Sequence, residues 1–187
     1  MAVTPRDLRL YLVTDPLLCA GDELAKIVLA AVRGGVSFVQ LRDKDASTQD
    51  RVAAARALKH VLAGSGVPLV INDDLEATIA ADVDGIHLGQ DDISSAEARA
   101  RLGPDKIIGL SCETVDQVWA ATADAVDYLG LGTVFTTATK PDHAPSIGMA
   151  GLAGLAAAST LPSVAIGGLK RDHACAVVAA GCDGMAV

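Results

Sequence analysis

Aromatic residues are few in this 187-residue chain: one Trp, two Tyr and two Phe, 3% of the total. Such scarcity argues against base-stacking recognition of single-stranded nucleic acid. It also predicts a core built from Ala, Val, Leu and Ile. The four cysteines, Cys19, Cys112, Cys175 and Cys182, form no CxxC pair and show no zinc-type spacing. They read as reduced, buried cysteines of a cytosolic protein. No stretch of about 18 apolar residues occurs, so no membrane span is expected. The first nine residues carry Arg6, Asp7 and Arg9 without an apolar run, so no secretory leader is expected. Basic residues are outnumbered, 15 against 23 acidic, for a net charge of −8. That balance disfavours a nucleic-acid backbone as partner. An anionic small molecule would need a local basic patch or a metal ion to offset the global field. No GxGxxG follows the first apolar run, which weakens a dinucleotide fold. No GxSxG occurs and no His lies near Ser111 in sequence, so no Ser/His/Asp triad is legible.

What is present is 51% hydrophobic, enough for one domain spanning 1–187 with a full core. Apolar runs recur at intervals of roughly 20 to 30 residues. Strands are expected at 10–14, 36–41, 68–72, 84–88, 106–110, 127–131, 163–166 and 184–187. These runs are continuous rather than alternating, as for strands buried on both faces. Between them, amphipathic helices are expected at 22–33, 48–63, 75–81, 94–102, 114–123, 150–158 and 171–180. Asp22, Ser47 or Thr48, Ser94 and Thr114 are cap candidates. Gly34 and Gly181 suit helix C-caps. Eight strands alternating with seven helices predict an α/β fold, a (β/α)8 TIM barrel lacking its last helix. A doubly wound sheet is the runner-up, but five or six strands would exhaust it. A barrel ending in strand 8 leaves apolar surface uncovered. The chain is therefore expected to be truncated there, unless a partner chain in a homo-oligomer covers that face.

Six polar clusters follow the apolar runs, and a parallel barrel would gather them at one mouth. Gln40, Arg42 and Lys44 sit at i, i+2 and i+4, which on an extended strand puts them on one face. Arg and Lys there suit phosphate. Asn72-Asp73 and Asp91-Asp92 close the third and fourth runs, and two carboxylates from adjacent strand ends can chelate Mg2+. Asp74 and Asp91 also fit helix caps. His87 alternates with Gly85 and Gly89, so it reads as a hydrogen-bonded core histidine rather than a base. Thr137, Thr139 and Lys140 suit phosphate oxygens, and residues 136–148 could form a lid. Gly167-Gly168 would let backbone amides approach a phosphate.

These stretches in this order resemble the thiamine-phosphate synthase family: QLRDK at 40–44, VPLVINDD at 67–74, DGIHLGQDD at 84–92, IIGLSC at 107–112, DYLGLGTVFTTATK at 127–140 and AIGGL at 165–169. The resemblance implies a cytoplasmic, Mg2+-dependent transferase that joins hydroxymethylpyrimidine diphosphate to a thiazole phosphate and releases pyrophosphate. The diphosphate would leave first, and the thiazole nitrogen would capture the pyrimidine-stabilised cation. By this match Gln40 contacts the pyrimidine, while Arg42, Lys44, Asn72 and Ser111 contact the diphosphate. Asp73 and Asp92 hold Mg2+, and Lys140 holds the departing diphosphate. Arg42, Lys44, Ser111 and Lys140 are thereby the catalytic set. Thr137, Thr139 and the Gly168 amide bind the thiazole phosphate. Two departures stand out. The family continues past strand 8 with amides that complete the thiazole-phosphate site, and Glu113 stands where relatives often carry His. A thiazole tautomerase-like paralogue and a non-catalytic thiamine-phosphate-binding module are the alternatives.

Overall fold

A computed structural model describes residues 3–16, 23–123, 125–137 and 145–187. The elements run β1 (Leu10–Val13), α1 (Glu23–Arg33), β2 (Phe38–Leu41), α2 (Thr48–Leu62), β3 (Leu69–Asn72), α3 (Leu75–Ala81), β4 (Gly85–Leu88) and α4 (Ser95–Leu102). They continue with β5 (Ile107–Cys112), α5 (Val115–Ala123), β6 (Tyr128–Leu131), α6 (Gly148–Ala158), β7 (Ser163–Ala165), α7 (Ala174–Ala179) and β8 (Gly184–Ala186). All the strands are parallel, and β1 closes the barrel on β8 with Leu10 opposite Met185 and Tyr11 opposite Ala186. The expected alternation is therefore observed. Strand β5 runs on to Cys112, which puts Ser111 on a strand rather than after it. The last expected helix opens as a 3-10 turn over Arg171–His173.

Helix starts follow local chemistry. Ser47, Asp74 and Ser94 each accept a backbone N–H three residues on, and Thr114 accepts that of Gln117. Gly35, not Gly34, takes the left-handed conformation after α1 (φ 106°). The amides of Gly35 and Val36 return to Val32 and Ala31, the double bond of a Schellman end. The end of α7 repeats this at Gly181.

Two clusters of buried aliphatics lie between the strands and the helices, as expected. The third cluster fills the barrel, and there an aliphatic expectation fails. Tyr11, Phe38 and Tyr128 are all buried in that interior beside Leu8, Val70, Ile107 and Val164. The few aromatics are concentrated where one large ring fills the space of several small side chains. Glycines make the room. A Cβ on Gly109 would collide with the Tyr128 ring and meet His87 Nδ1 at 2.5 Å.

At the closed end of the barrel the strands are stapled in pairs. Asp84 accepts the amide of Leu69, Asp127 that of Ile108 and Asp183 that of Ser163, each at 2.8 Å. Ser37 plays this part for β1 and β2, accepting from Leu10 N at 3.1 Å and donating to Leu10 O at 3.2 Å. Of the cysteines, Cys112 and Cys182 are free and buried, but Cys175 is free and exposed, contrary to expectation. Burial, with a smaller contribution from Glu113, pushes the Cys112 thiol up to about 12, so it carries no thiolate chemistry. Among the described residues, no helix is long and apolar enough to cross a membrane.

Candidate active site

The open end of the barrel collects the polar clusters. Gln40 is buried on the inward face of β2, while Val39 and Leu41 pack with the helices. The strand ends at Leu41, so its alternation does not carry Arg42 and Lys44 onto the same face. This corrects the single-face expectation. Arg42 lies in the loop, its backbone amide held by Thr14 Oγ1 at 3.0 Å, and lines a cavity of about 350 Å³ with Thr14, Asp15, Leu24 and Leu41. Lys44 lines a neighbouring cavity of about 290 Å³ with Asp43, Arg51, Asn72, Asp73 and Asp74.

Asp73 and Asp92 do come together. Asp73 follows β3 with a left-handed backbone (φ 63°), and its carboxyl is hydrogen-bonded to that of Asp92. Asp74 caps α3 instead and accepts from Arg51 and Thr48, so it is structural. Burial first, then the hydrogen bond and charge of Asp92, push Asp73 up to about 6, against the opposing pull of Lys44. Lys44 Nζ stands 4.0 Å from Asp73 Oδ2. Gly89 N–H donates to Asp92 Oδ2 at 2.6 Å and fixes the second carboxylate. Two carboxylates pressed together compete for one proton. A divalent oxygen-seeking cation relieves that conflict, and Mg2+ needs only one or two carboxylates when substrate phosphates and water complete its shell. The donor set fits Mg2+; among the described residues no group of three acidic, His or Cys ligands occurs.

Ser111 does have a histidine at hand, 24 positions away in sequence. Its Oγ lies 2.9 Å from His87 Nε2, and His87 Nδ1 lies 2.9 Å from Tyr128 Oη. Tyr128 Oη is 2.7 Å from Tyr11 Oη, to which Gln40 Nε2 donates at 2.8 Å. His87 is thus buried and bonded at both ring nitrogens, as the alternation with glycines implied. Burial pushes the hydroxyls of Tyr11 and Tyr128 well above the usual phenol range. At Nδ1, where a triad histidine meets a carboxylate, His87 meets a tyrosine hydroxyl instead.

Two further groups were missed. Arg51, in the first turn of α2, donates to the carbonyls of Asp43 and Lys44 and to Asp74, so it ties the β2 and β3 loops together. Gln90 Nε2 donates to Ser111 O at 2.6 Å. Gln90 stands inside the DGIHLGQDD stretch but had no role assigned, and nothing in the sequence context of Arg51 separates it from an ordinary surface residue. At the far side, Gly167 and Gly168 both have positive φ, and a Cβ on Gly168 would meet Thr136 O at 2.7 Å. That turn therefore packs directly on the loop that carries Thr137. Thr139 and Lys140, with most of the expected lid, lie outside the described residues, as do Cys19 and Asp22.

Residues 10–187 match the model of the family described as thiamine monophosphate synthase. The chain belongs to that family. It is 51% identical over 183 residues to the thiamine-phosphate synthase of Xanthobacter autotrophicus, covering 98% of this chain and 87% of that one. It is 48% identical over 180 residues to the enzyme of the same name from Albidiferax ferrireducens, covering 96% and 82%. The solved thiamine phosphate pyrophosphorylase of Pyrococcus furiosus superposes with a TM-score of 0.86 at 31% identity, covering 98% and 86%.

Proposed function

We propose that this chain is a thiamine-phosphate synthase that joins hydroxymethylpyrimidine diphosphate to a thiazole phosphate with release of pyrophosphate. The observation that carries this reading is the Asp73–Asp92 pair beside Lys44, at a barrel mouth whose sequence matches the synthase family. Asp73 and Asp92 would hold Mg2+, which would supply positive charge to the diphosphate oxygens. Arg42, Lys44 and Lys140 offset the rest of the leaving group's charge, and Asn72 and Ser111 hydrogen-bond to it. The bond from the pyrimidine methylene carbon to the diphosphate oxygen breaks, its electron pair leaving with the diphosphate. The thiazole nitrogen then donates its lone pair to that carbon. Gln40 holds the pyrimidine, while Thr137, Thr139 and the Gly168 amide hold the thiazole phosphate. No protein nucleophile is needed. The free cysteines suit a reducing cytoplasm.

The test is pyrophosphate release with both substrates, with Mg2+ and then with EDTA. Release that needs Mg2+ and the thiazole phosphate is expected. A folded protein that binds thiamine phosphate without releasing pyrophosphate would make it a binding module instead.

A further inference from the structure

The buried chain Gln40–Tyr11–Tyr128–His87–Ser111 crosses the barrel interior and has substrate-facing groups at both ends. Its internal logic is one of counting protons. Gln40 Nε2 donates to Tyr11 Oη. Among the described residues, the acceptor within reach of the Tyr11 proton is Tyr128 Oη at 2.7 Å. The Tyr128 proton then goes to His87 Nδ1 at 2.9 Å. A neutral imidazole that accepts at Nδ1 carries its proton on Nε2, so it donates to Ser111 Oγ at 2.9 Å. Two open valences remain. Gln40 keeps its carbonyl oxygen for the site, and Ser111 keeps its own proton.

Reversing any one member would set donor against donor or acceptor against acceptor among buried groups. That mismatch costs a full desolvation penalty, so the five groups reverse together or not at all. The space is built for the purpose. Gly109 leaves room for the Tyr128 hydroxyl and His87 Nδ1, and a Cβ on Gly130 would press His87 Cε1 at 3.2 Å. Gln90 pins the Ser111 backbone so that its hydroxyl stays at the end of the chain.

We propose that Tyr11, Tyr128 and His87 are positioning residues that lock the hydrogen-bond polarity of the site, so that Gln40 presents an acceptor and Ser111 a donor to the bound diphosphate substrate. The proposal rests on the reading above that Gln40 and Ser111 contact that substrate. It selects a heteroaromatic diphosphate whose ring offers a hydrogen-bond donor to Gln40, and it couples two contacts at opposite ends of the chain.

The test begins with 15N NMR of the histidine side chains in the full chain without ligand, the His87 signal being assigned by its loss in His87→Asn. The neutral Nε2–H tautomer is expected, and Tyr128→Phe should shift the balance toward Nδ1–H. In turnover, Tyr128→Phe should lower kcat/KM for the pyrimidine diphosphate by about ten-fold and leave KM for the thiazole phosphate unchanged. Gln40→Ala and Ser111→Ala should be non-additive by about three-fold or more in the wild-type background, and additive once Tyr128 is Phe. Should Tyr128→Phe fail to fold, Tyr11→Phe breaks the chain one link away and carries the same expectation. An Nδ1–H tautomer in active wild-type protein, or an additive cycle in the wild-type background, would overturn the proposal. An Nε2–H tautomer in a folded protein without turnover would instead overturn the functional reading and leave the polarity standing.

Discussion

The two ends of this barrel use the same side chain for opposite purposes. At the closed end, Asp84, Asp127 and Asp183 each accept a backbone amide from the preceding strand. Asp82 is held there by Lys106 and Lys59, whose hydrogen bonds bring its carboxyl down to about 2. At the open end, Asp73 and Asp92 face each other, and Asp73 is pushed up to about 6. Carboxylates at the base are answered by the protein. At the mouth Asp74 is answered in the same way, but Asp73 and Asp92 are held against each other, with Lys44 and the Gly89 amide to offset them. A carboxylate with its full complement of partners stabilises the fold, whereas two like charges held together are a standing cost.

That contrast can be broken by mutation. The largest effect should follow Asp92→Asn, which keeps an acceptor for Gly89 N–H but removes one charge. Turnover should fall on the order of 10²–10³-fold. The melting temperature should hold or rise, because a like charge beside Asp73 is gone. A marked loss of stability would mean that the pair is structural. Next comes Asp127→Ala, which strands the Ile108 amide and takes the carboxylate, at 2.6 Å, from an Arg99 guanidinium only 19% exposed that keeps its bonds to the carbonyls of Gly103, Lys106 and Ala125. A cost of about 2–3 kcal/mol is expected, a drop of roughly 5–10 °C in calorimetry, with kcat unchanged. A variant of wild-type stability would remove the staple from the account.

The third effect is one of pH. The folded-state pKa of Asp73, about 6, lies above its unfolded value. Its contribution to the stability of the cation-free protein is therefore full below the usual carboxylate range and lost as pH rises through about 6. On the proposed reading, Mg2+ held by Asp73 would have to displace that proton. The Mg2+ concentration for half-maximal rate should then rise about ten-fold for each pH unit below 6. Titration of the rate at pH 5 and pH 7 checks this, and a flat response would uncouple the pair from the metal. The smallest effect belongs to Lys59→Ala at the base. Lys59 and Asp82 are 49% and 75% exposed, so about 0.5 kcal/mol or less is expected, under roughly 2 °C, with no change in turnover.

Much of this could be read from one chain. Every strand and helix lay within a few residues of its expected place, because buried parallel strands and amphipathic helices leave different periodicities. The caps at Ser47, Ser94 and Thr114 were legible because a cap acts within three residues of itself. The pairing of Asp73 with Asp92 followed from their places at adjacent strand ends. Other features were hidden. Arg42 and Lys44 were put on one face with Gln40 because strand alternation was carried past Leu41, where the strand stops. The Ser111–His87 contact was missed because it joins β4 to β5 across 24 residues, and only strand register brings them side by side. Yet Tyr128-Leu129-Gly130-Leu131-Gly132 carried a trace of it: a large inward residue followed by two inward glycines marks a crowded interior.

The sequence alone therefore determined the alternation of elements, the closure into a barrel and the roster of polar groups at its mouth, since each depends on short-range patterning and on the single mouth of parallel strands. Tertiary structure alone decided which of those groups touch. Tyr11 meets Tyr128 from 117 positions away, Arg51 reaches two loops from a helix, and Asp73 meets Asp92. Such contacts depend on register, side-chain reach and the space that glycines leave, and none of these is encoded by neighbours in the chain.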